Sequence, residues 1–140
     1  MSIPEKEKEI IEEFSFFGDD WESKYEHLIG LGKSLPELNP RLKTDDKLIK
    51  GCQSRVWLHS EITGGKVKYA ADSDAAIPKG IVALMIRVLS DQSPDEIVNA
   101  PLHFIDQIGL KEHLSPTRAN GLVSMVKQMK LDALALKAIN

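Results

Sequence analysis

The sequence predicts an α+β fold in which a small antiparallel sheet of two to three strands packs against five to six helices. Runs of β-forming residues flank a turn at 63–66 that contains two glycines, which is typical of a hairpin. Segments with helical spacing of apolar residues lie on both sides of this hairpin. Residues 75–89 are apolar nearly all round, which indicates a buried central helix that covers one face of the sheet.

Two helices are predicted before the hairpin. The first covers residues 4–17, and the second begins at Asp19, an N-cap with Glu22 in the position of a capping box. The second helix is expected to stop near residues 30–32, where glycines occur. Residues 33–53 then form a long polar connection, a feature that is uncommon in a compact domain unless it has a function.

The hairpin strands are predicted over residues 55–62 and 67–71. If the apolar helix started at Asp74, Pro78 would remove its first internal hydrogen bond, so a later or distorted start is expected. A capping box at Ser93 opens a short helix, and one or two helical turns follow it. The last helix is predicted to cover residues 115–138.

Length and composition favour one domain over residues 1–140. Hydrophobic residues make up 42% of the chain and charged residues 28%, which is ordinary for a globular domain. The chain contains no apolar run of about 18 residues, and its charged beginning does not resemble a secretory signal. We therefore expect a cytoplasmic protein with no membrane partner. The formal net charge of −3 argues against nucleic acid as a partner.

Cys52 is the only cysteine of the chain and lies at the far end of the long connection. One cysteine excludes an internal disulfide, a CxxC redox pair and an all-cysteine metal or iron–sulfur site within the chain. The four histidines show no metal-binding spacing, so we expect neither a metal nor a stably bound cofactor.

The environment of Cys52 supports two interpretations. A lone cysteine is more often a small buried apolar residue than a nucleophile. Cys52 nevertheless follows Gly51, lies at a junction between a loop and a strand, and is flanked by Lys50 and Arg55. Neighbouring cations favour the reactive thiolate, whereas burial beside Trp57 would raise the thiol pKa. The sequence alone does not decide between these effects.

Several motifs in consistent order resemble those of the SufE family. They are LPEL at 35–38, GCQSRVW at 51–57, DSDAAI at 72–77 and HLSPTR at 113–118. The resemblance extends from residue 8 to residue 130 or so, and its motifs together are specific.

SufE proteins are sulfur acceptors of the SUF iron–sulfur assembly system, and the closely similar CsdE branch is not separated from them by this sequence. The resemblance implies a SufE-like domain whose α+β fold is related to the scaffold IscU. It implies that Cys52 takes sulfur from the persulfide of a PLP-dependent, SufS-type cysteine desulfurase, stimulates that enzyme, and passes the sulfur to a SufB-type scaffold. The chain would then be a carrier rather than an enzyme, and the PLP would belong to the partner.

The resemblance assigns Cys52 as the persulfide carrier and eight further residues to its loop and to the partner surface. Those residues are Gly51, Gln53, Ser54, Arg55, Asp72, Ser73, Asp74 and Arg118.

Most of these residues also have plain structural explanations. Residues 72–74 are typical of a strand end and helix cap, and Gln53 and Ser54 either bind a sulfur anion or complete the loop backbone. Arg118 opposes the macrodipole in the first turn of its helix. This misfit favours a further role, either pairing with Asp74 or contacting the desulfurase.

Three other functions are compatible with one reactive cysteine. A thiol redox or peroxide-reducing protein would form sulfenic acid at Cys52, but no resolving cysteine is present in the chain. A regulatory partner of a desulfurase would bind that enzyme without carrying sulfur. A role as a scaffold for iron–sulfur clusters is disfavoured, because the chain has one cysteine.

Overall fold

The computed structural model describes residues 1–139, which form seven helices and one two-stranded antiparallel sheet. The elements are α1 (Ile3–Ser15), α2 (Trp21–Lys33), β1 (Val56–Thr63), β2 (Lys66–Ser73), α3 (Ala76–Leu89), α4 (Pro94–Asn99), α5 (Phe104–Gln107), α6 (Leu110–His113) and α7 (Pro116–Ile139). The predicted α+β class is confirmed, and the single-turn helices α5 and α6 account for the higher helix count. Within residues 1–139, no helix has the length and apolarity that crossing a bilayer would require.

The start and end of α2 differ from the prediction. Asp20, not Asp19, is the N-cap, because its Oδ1 accepts a hydrogen bond from the Ser23 amide at 3.2 Å. The helix also continues through Gly30 and Gly32 to Lys33. These glycines do not end α2, since Gly32 lies against the α3 backbone, where packing outweighs the weak helix propensity of glycine.

The hairpin forms as predicted. Val56 pairs with Ser73 at one end of the ladder and Thr63 pairs with Lys66 at the turn. Gly64 and Gly65 have φ values of 60° and 77°, as a two-residue turn with positive φ at both central positions requires. The turn residues therefore determine the register of the hairpin.

Helix α3 is the centre of the core, and it contacts α1, α2, α7 and β2. Val82, Leu84, Met85 and Val88 have no exposed surface. Pro78 is the third residue of α3, a position whose N–H has no intrahelical acceptor in any α-helix. The predicted later start is therefore confirmed, and proline is tolerated without loss of a helical hydrogen bond.

The connection between α2 and β1 contains two 3₁₀ turns, Pro40–Leu42 and Asp45–Lys47. It then rejoins the sheet, where the Ile49 amide donates to the Val56 carbonyl at 2.9 Å and Leu48 forms a bridge with Trp57. Helix α7 packs against α3, α4 and β1. Residues 50–54 are thereby placed between the start of the hairpin and the N-terminal half of α7.

Candidate functional site around Cys52

Cys52 lies on residues 50–54, here called the cysteine segment, and its half-buried side chain packs on α7. The thiol Sγ donates to the carbonyl oxygen of Gly121 at 3.6 Å. Gly51 precedes it with a φ of 96°, and a Cβ at Gly51 would overlap the Ser124 side chain. The segment therefore needs glycine at residue 51 both for backbone conformation and for space.

The cysteine segment is fixed at its two ends. On one side, the Ile49 amide donates a hydrogen bond to the Val56 carbonyl of the hairpin. On the other side, the Arg55 carbonyl accepts from Ser73 Oγ at 2.7 Å and from the Asp74 amide at 3.2 Å, while the Arg55 amide donates to Asp74 Oδ1 at 3.1 Å. In the described part of the chain, no backbone to backbone hydrogen bond involves residues 50–54. Contact with α7 and one weak thiol bond hold the segment between these anchors.

Asp72 connects three parts of the structure. Its carboxylate forms an ion pair with Lys43 of the long connection at 2.7 Å and a second ion pair with Lys79 of α3 at 3.1 Å. Burial by itself would raise the pKa of Asp72, but hydrogen bonds from Lys43, the Ser73 amide and Lys79 lower it below the ordinary value. A charged Asp72 therefore ties the connection that leads to Cys52 to strand β2 and to α3.

A cavity of about 330 Å³ opens beside the Cys52 side chain. Its floor includes Ile81 of α3 and Met125 of α7, both buried, and Arg118 at its rim is exposed. The complete lining is Cys52, Gln53, Ser54, Pro78, Ile81, Ser115, Thr117, Arg118, Gly121 and Met125. The thiol thus has an apolar floor beneath it and a polar opening to solvent.

Burial raises the pKa of the Cys52 thiol above its ordinary value. The flanking cations Lys50 and Arg55 are exposed to solvent, where charges are strongly screened. Of the two opposing effects considered from sequence, desolvation is therefore the larger one. In the isolated protein at neutral pH, Cys52 is held predominantly as the thiol.

The structure brings the predicted residues together in two groups. Gln53, Ser54 and Arg118 line the cavity with Cys52, whereas residues 72–74 hold the connection and Arg55 in place. Within residues 1–139, Arg118 has no ion pair within 4 Å, so its predicted pairing with Asp74 is absent. In the same range neither Gln53 nor Ser54 bonds to Sγ, whose hydrogen-bond acceptor is the Gly121 carbonyl.

Sequence reasoning missed the floor of the cavity and both lysine partners of Asp72. Arg118, Gly121 and Met125 recur at spacings of three and four, which places them on one face of α7. That spacing could have predicted the part of the cavity lining that α7 provides. No local signal pairs Lys43 with Asp72, because that contact depends on how the long connection folds back.

Comparisons with known proteins agree with this architecture. The family model described as SufE, an Fe-S metabolism associated domain, matches residues 8–133. An uncharacterized SufE-like protein of Rhizobium meliloti is 39% identical over 130 residues, covering 89% of this chain and 92% of that protein. One from Synechocystis is 36% identical over 136 residues, covering 97% and 85% respectively.

The fold has a counterpart among solved structures. The solution structure of a hypothetical protein from Thermus thermophilus superposes with a TM-score of 0.78, at 23% identity, over 99% of both chains. At that identity the likeness supports the fold alone. The family model spans residues 8–133, a range that contains Cys52, and the curated relatives cover most of the chain. The chain therefore belongs to the SufE family and has a role in iron–sulfur metabolism.

Proposed function

We propose that Cys52 accepts sulfur from the persulfide of a cysteine desulfurase and passes it on to an iron–sulfur cluster scaffold. One observation carries this proposal. The only cysteine of the chain stands beside a cavity of about 330 Å³, on a segment that is anchored at its ends but weakly held between them.

The transfer requires no external oxidant or reductant. The Cys52 thiol loses its proton, and the thiolate attacks the outer sulfur of the donor persulfide. A new sulfur–sulfur bond forms on Cys52 while the donor bond breaks, and the donor cysteine leaves as a thiolate that takes up a proton. One thiol and one persulfide are consumed, and one thiol and one persulfide are produced.

The cavity has space for the added sulfur. Its volume is many times the roughly 30 Å³ that one water molecule occupies in the liquid. Its apolar floor at Ile81 and Met125 keeps solvent thiols from approaching from below. A persulfide on Cys52 would therefore be held beside α7 between its formation and its delivery.

The resting state protects the thiol, and docking activates it. Burial raises the pKa of Cys52, so the isolated carrier reacts slowly with chance electrophiles. Moving the cysteine segment outward breaks the bond to Gly121 but leaves the anchors at Ile49 and Arg55 in place. The exposed thiol then loses its desolvation penalty, and its thiolate fraction rises at the moment of transfer.

The partners follow from this role. The donor is a PLP-dependent desulfurase of the SufS type or its CsdE-associated counterpart, and the receiver is a SufB-type scaffold in the cytoplasm. PLP remains on the desulfurase, and this chain acts as a carrier and activator. The position of Gln53, Ser54 and Arg118 at the cavity rim supports a role for them in the docked complex.

A peroxide-reducing function fits less well. Peroxide reacts with thiolates, and burial disfavours the thiolate of Cys52. The chain also lacks a second cysteine that would resolve a sulfenic acid. A regulatory partner that carries no sulfur differs from our proposal only in the fate of the donor sulfur, so the test must follow that atom.

The direct test is intact-mass measurement after incubation with a desulfurase and L-cysteine. We expect the wild type to gain one sulfur atom, which a reductant removes, and Cys52→Ser to gain none. Alanine release, measured in parallel, verifies that the desulfurase turns over. Absence of the adduct beside an active desulfurase would refute sulfur carriage, and stimulation by Cys52→Ser without any adduct on wild type would indicate a regulatory partner.

A further inference from the structure

We infer that a second opening of the molecule binds a lysine side chain that a partner protein presents among apolar residues. This opening, here called the α1 groove, lies between α1 and the helices α4 and α5, and side chains from residues 3–12 and 96–107 line it. Its volume of about 730 Å³ is more than twice that of the Cys52 cavity and within the size range of ligand pockets. Among the described residues, none lines both openings. The inference is therefore independent of sulfur transfer, and a partner held in the α1 groove would leave the Cys52 cavity open.

The α1 groove has an apolar floor and open sides. Ile3 and Ala100 are buried and Ile11 is half-buried. Apart from these three and the buried Glu7, every lining residue is exposed. Sites for small molecules enclose most of the ligand surface, whereas an open channel admits one inserted side chain while the rest of its chain stays outside. The shape therefore favours a segment of a protein over a free small molecule.

A buried carboxylate stands in this apolar floor. Glu7 is 9% exposed, and its Oε2 accepts the Phe104 amide, the first N–H of α5, at 3.0 Å. In the part of the chain that the structure describes, its Oε1 accepts no hydrogen bond and neither oxygen has an ion pair within 4 Å. No fully buried side-chain oxygen in that part lacks a partner. The unpartnered Oε1 therefore keeps access to solvent through the groove that Glu7 lines.

The contact between Glu7 and Phe104 requires an oxygen but not a charge. A glutamine would accept the same amide through its side-chain carbonyl. Burying a carboxylate without a cationic partner is unfavourable, and the ion pairs that α1 forms with Arg87 use Glu9 and Glu13 instead. A cation supplied from outside the chain accounts for a glutamate at this position.

The charge of the α1 groove also fits a cation. Glu12 and Glu96 are exposed at its edges and Glu7 lies inside, whereas Lys8 is the one lysine of the lining, so three acids against one base give a formal balance of −2 with His103 neutral. Lys8 and Glu12 are four residues apart on α1, but among the described residues no ion pair within 4 Å joins them or occupies Glu96. The groove would therefore attract a positively charged segment.

A lysine side chain matches both the apolar floor and the carboxylate. Its methylene stem would lie along Ile3, Ile11 and Ala100 while its ammonium group reaches Glu7. Glu7 offers one free oxygen, because the other accepts the Phe104 amide. An ammonium group can bind through one oxygen, whereas a guanidinium group binds a carboxylate best through both. The α1 groove therefore favours lysine over arginine, with apolar neighbours in the segment covering the rest of the floor.

The experiment titrates isotope-labelled protein with the blocked tripeptide Leu-Lys-Leu and follows the amide chemical shifts by NMR. A matched peptide has norleucine in place of lysine, which keeps an aliphatic stem and lacks the ammonium group. The probe for a free amine is n-butylamine. The test variant is Glu7→Gln, and its control is Glu5→Gln, the same substitution at an exposed position of α1 outside the groove, where glutamine preserves the capping box.

We expect the lysine peptide to shift amides of α1, α4 and α5 in a saturable manner, with an affinity that falls about tenfold in Glu7→Gln and is unchanged in Glu5→Gln. The norleucine peptide should bind wild type about tenfold more weakly, a comparison that remains decisive if Glu7→Gln folds poorly.

Three results would each overturn the inference: equal affinities of the two peptides for wild type, equal affinities of wild type and Glu7→Gln for the lysine peptide, or no saturable shifts at all. Binding of n-butylamine as tight as that of the lysine peptide would also overturn it, because the α1 groove would then serve free amines and not a protein segment.

Discussion

Two glycine contacts in this molecule serve opposite purposes. Where α2 crosses α3, a Cβ at Gly80 would overlap the carbonyl of Leu28, whose carbon atom would lie 2.8 Å away. Where α7 meets Cys52, a Cβ at Gly121 would lie 3.5 Å from Sγ, an ordinary contact distance. The first glycine permits two backbones to touch, whereas the second leaves space beside a reactive atom.

The difference separates a rigid scaffold from a releasable segment. Backbone contact at the α2–α3 crossing leaves no freedom to adjust, because packed interiors transmit rather than absorb displacements. The cysteine segment contacts α7 through a thiol bond and side-chain packing, both of which a docking partner can replace. A carrier needs both properties, since the scaffold must hold the anchors while the thiol moves.

Gly80→Ala should give the largest effect. The added methyl meets the backbone of α2 instead of a flexible side chain, so the two helices must separate. We expect the free energy of unfolding to fall by about 3 kcal/mol, at the upper end for overpacking. Urea denaturation monitored by circular dichroism measures this loss.

Gly30→Ala is the matched control for that substitution. Gly30 also lies in a helix, but nothing is within 4 Å of a Cβ placed there. Alanine should therefore stabilise α2 by up to about 1 kcal/mol through helix propensity. If Gly80→Ala were as stable as Gly30→Ala, the distinction between a rigid crossing and a loose contact would be wrong.

Asp72→Asn should have the next largest effect, because Asp72 links the two regions. The amide leaves Lys43 and Lys79 without their shared carboxylate. We expect a loss of about 1 to 2 kcal/mol at neutral pH, together with faster hydrogen exchange in the long connection. A matched substitution is Asp95→Asn, which removes an exposed ion pair to Lys137 and should cost little.

The pH dependence of this loss has a definite sign. The pKa of Asp72 is lowered in the folded state, so its contribution is fully present above the unfolded value near 4 and disappears as the pH falls further. The stability difference between wild type and Asp72→Asn should therefore shrink below about pH 4. A difference that stays constant down to pH 2 would show that Asp72 acts through packing rather than charge.

Residues with local signals were predicted well from the sequence. The paired glycines fixed the hairpin turn, and the apolar run over 75–89 identified the central helix, because turn chemistry and periodicity act between near neighbours. The N-cap of α2 was misplaced by one residue, and the helix continues one residue beyond Gly32, which stays helical through a contact with Gly80 that is remote in sequence. Whether neighbouring cations or burial has the larger effect on the Cys52 pKa could not be predicted from the sequence either, because desolvation depends on where α7 packs.

The smallest expected effect comes from Gly121→Ala, which tests the looser of the two glycine contacts. The new methyl lies at ordinary contact distance from Sγ, and alanine favours the helix, so stability should change by less than about 1 kcal/mol. The methyl also removes solvent from one side of the thiol, which keeps its pKa raised. The rate at which iodoacetamide alkylates Cys52, measured against pH, should therefore rise only above the ordinary thiol pKa in both proteins. In the variant this rise should occur at a slightly higher pH. A large loss of stability, or a thiol pKa below the ordinary value in either protein, would mean that Gly121 and Cys52 form a tight, charge-stabilised contact instead of a releasable one.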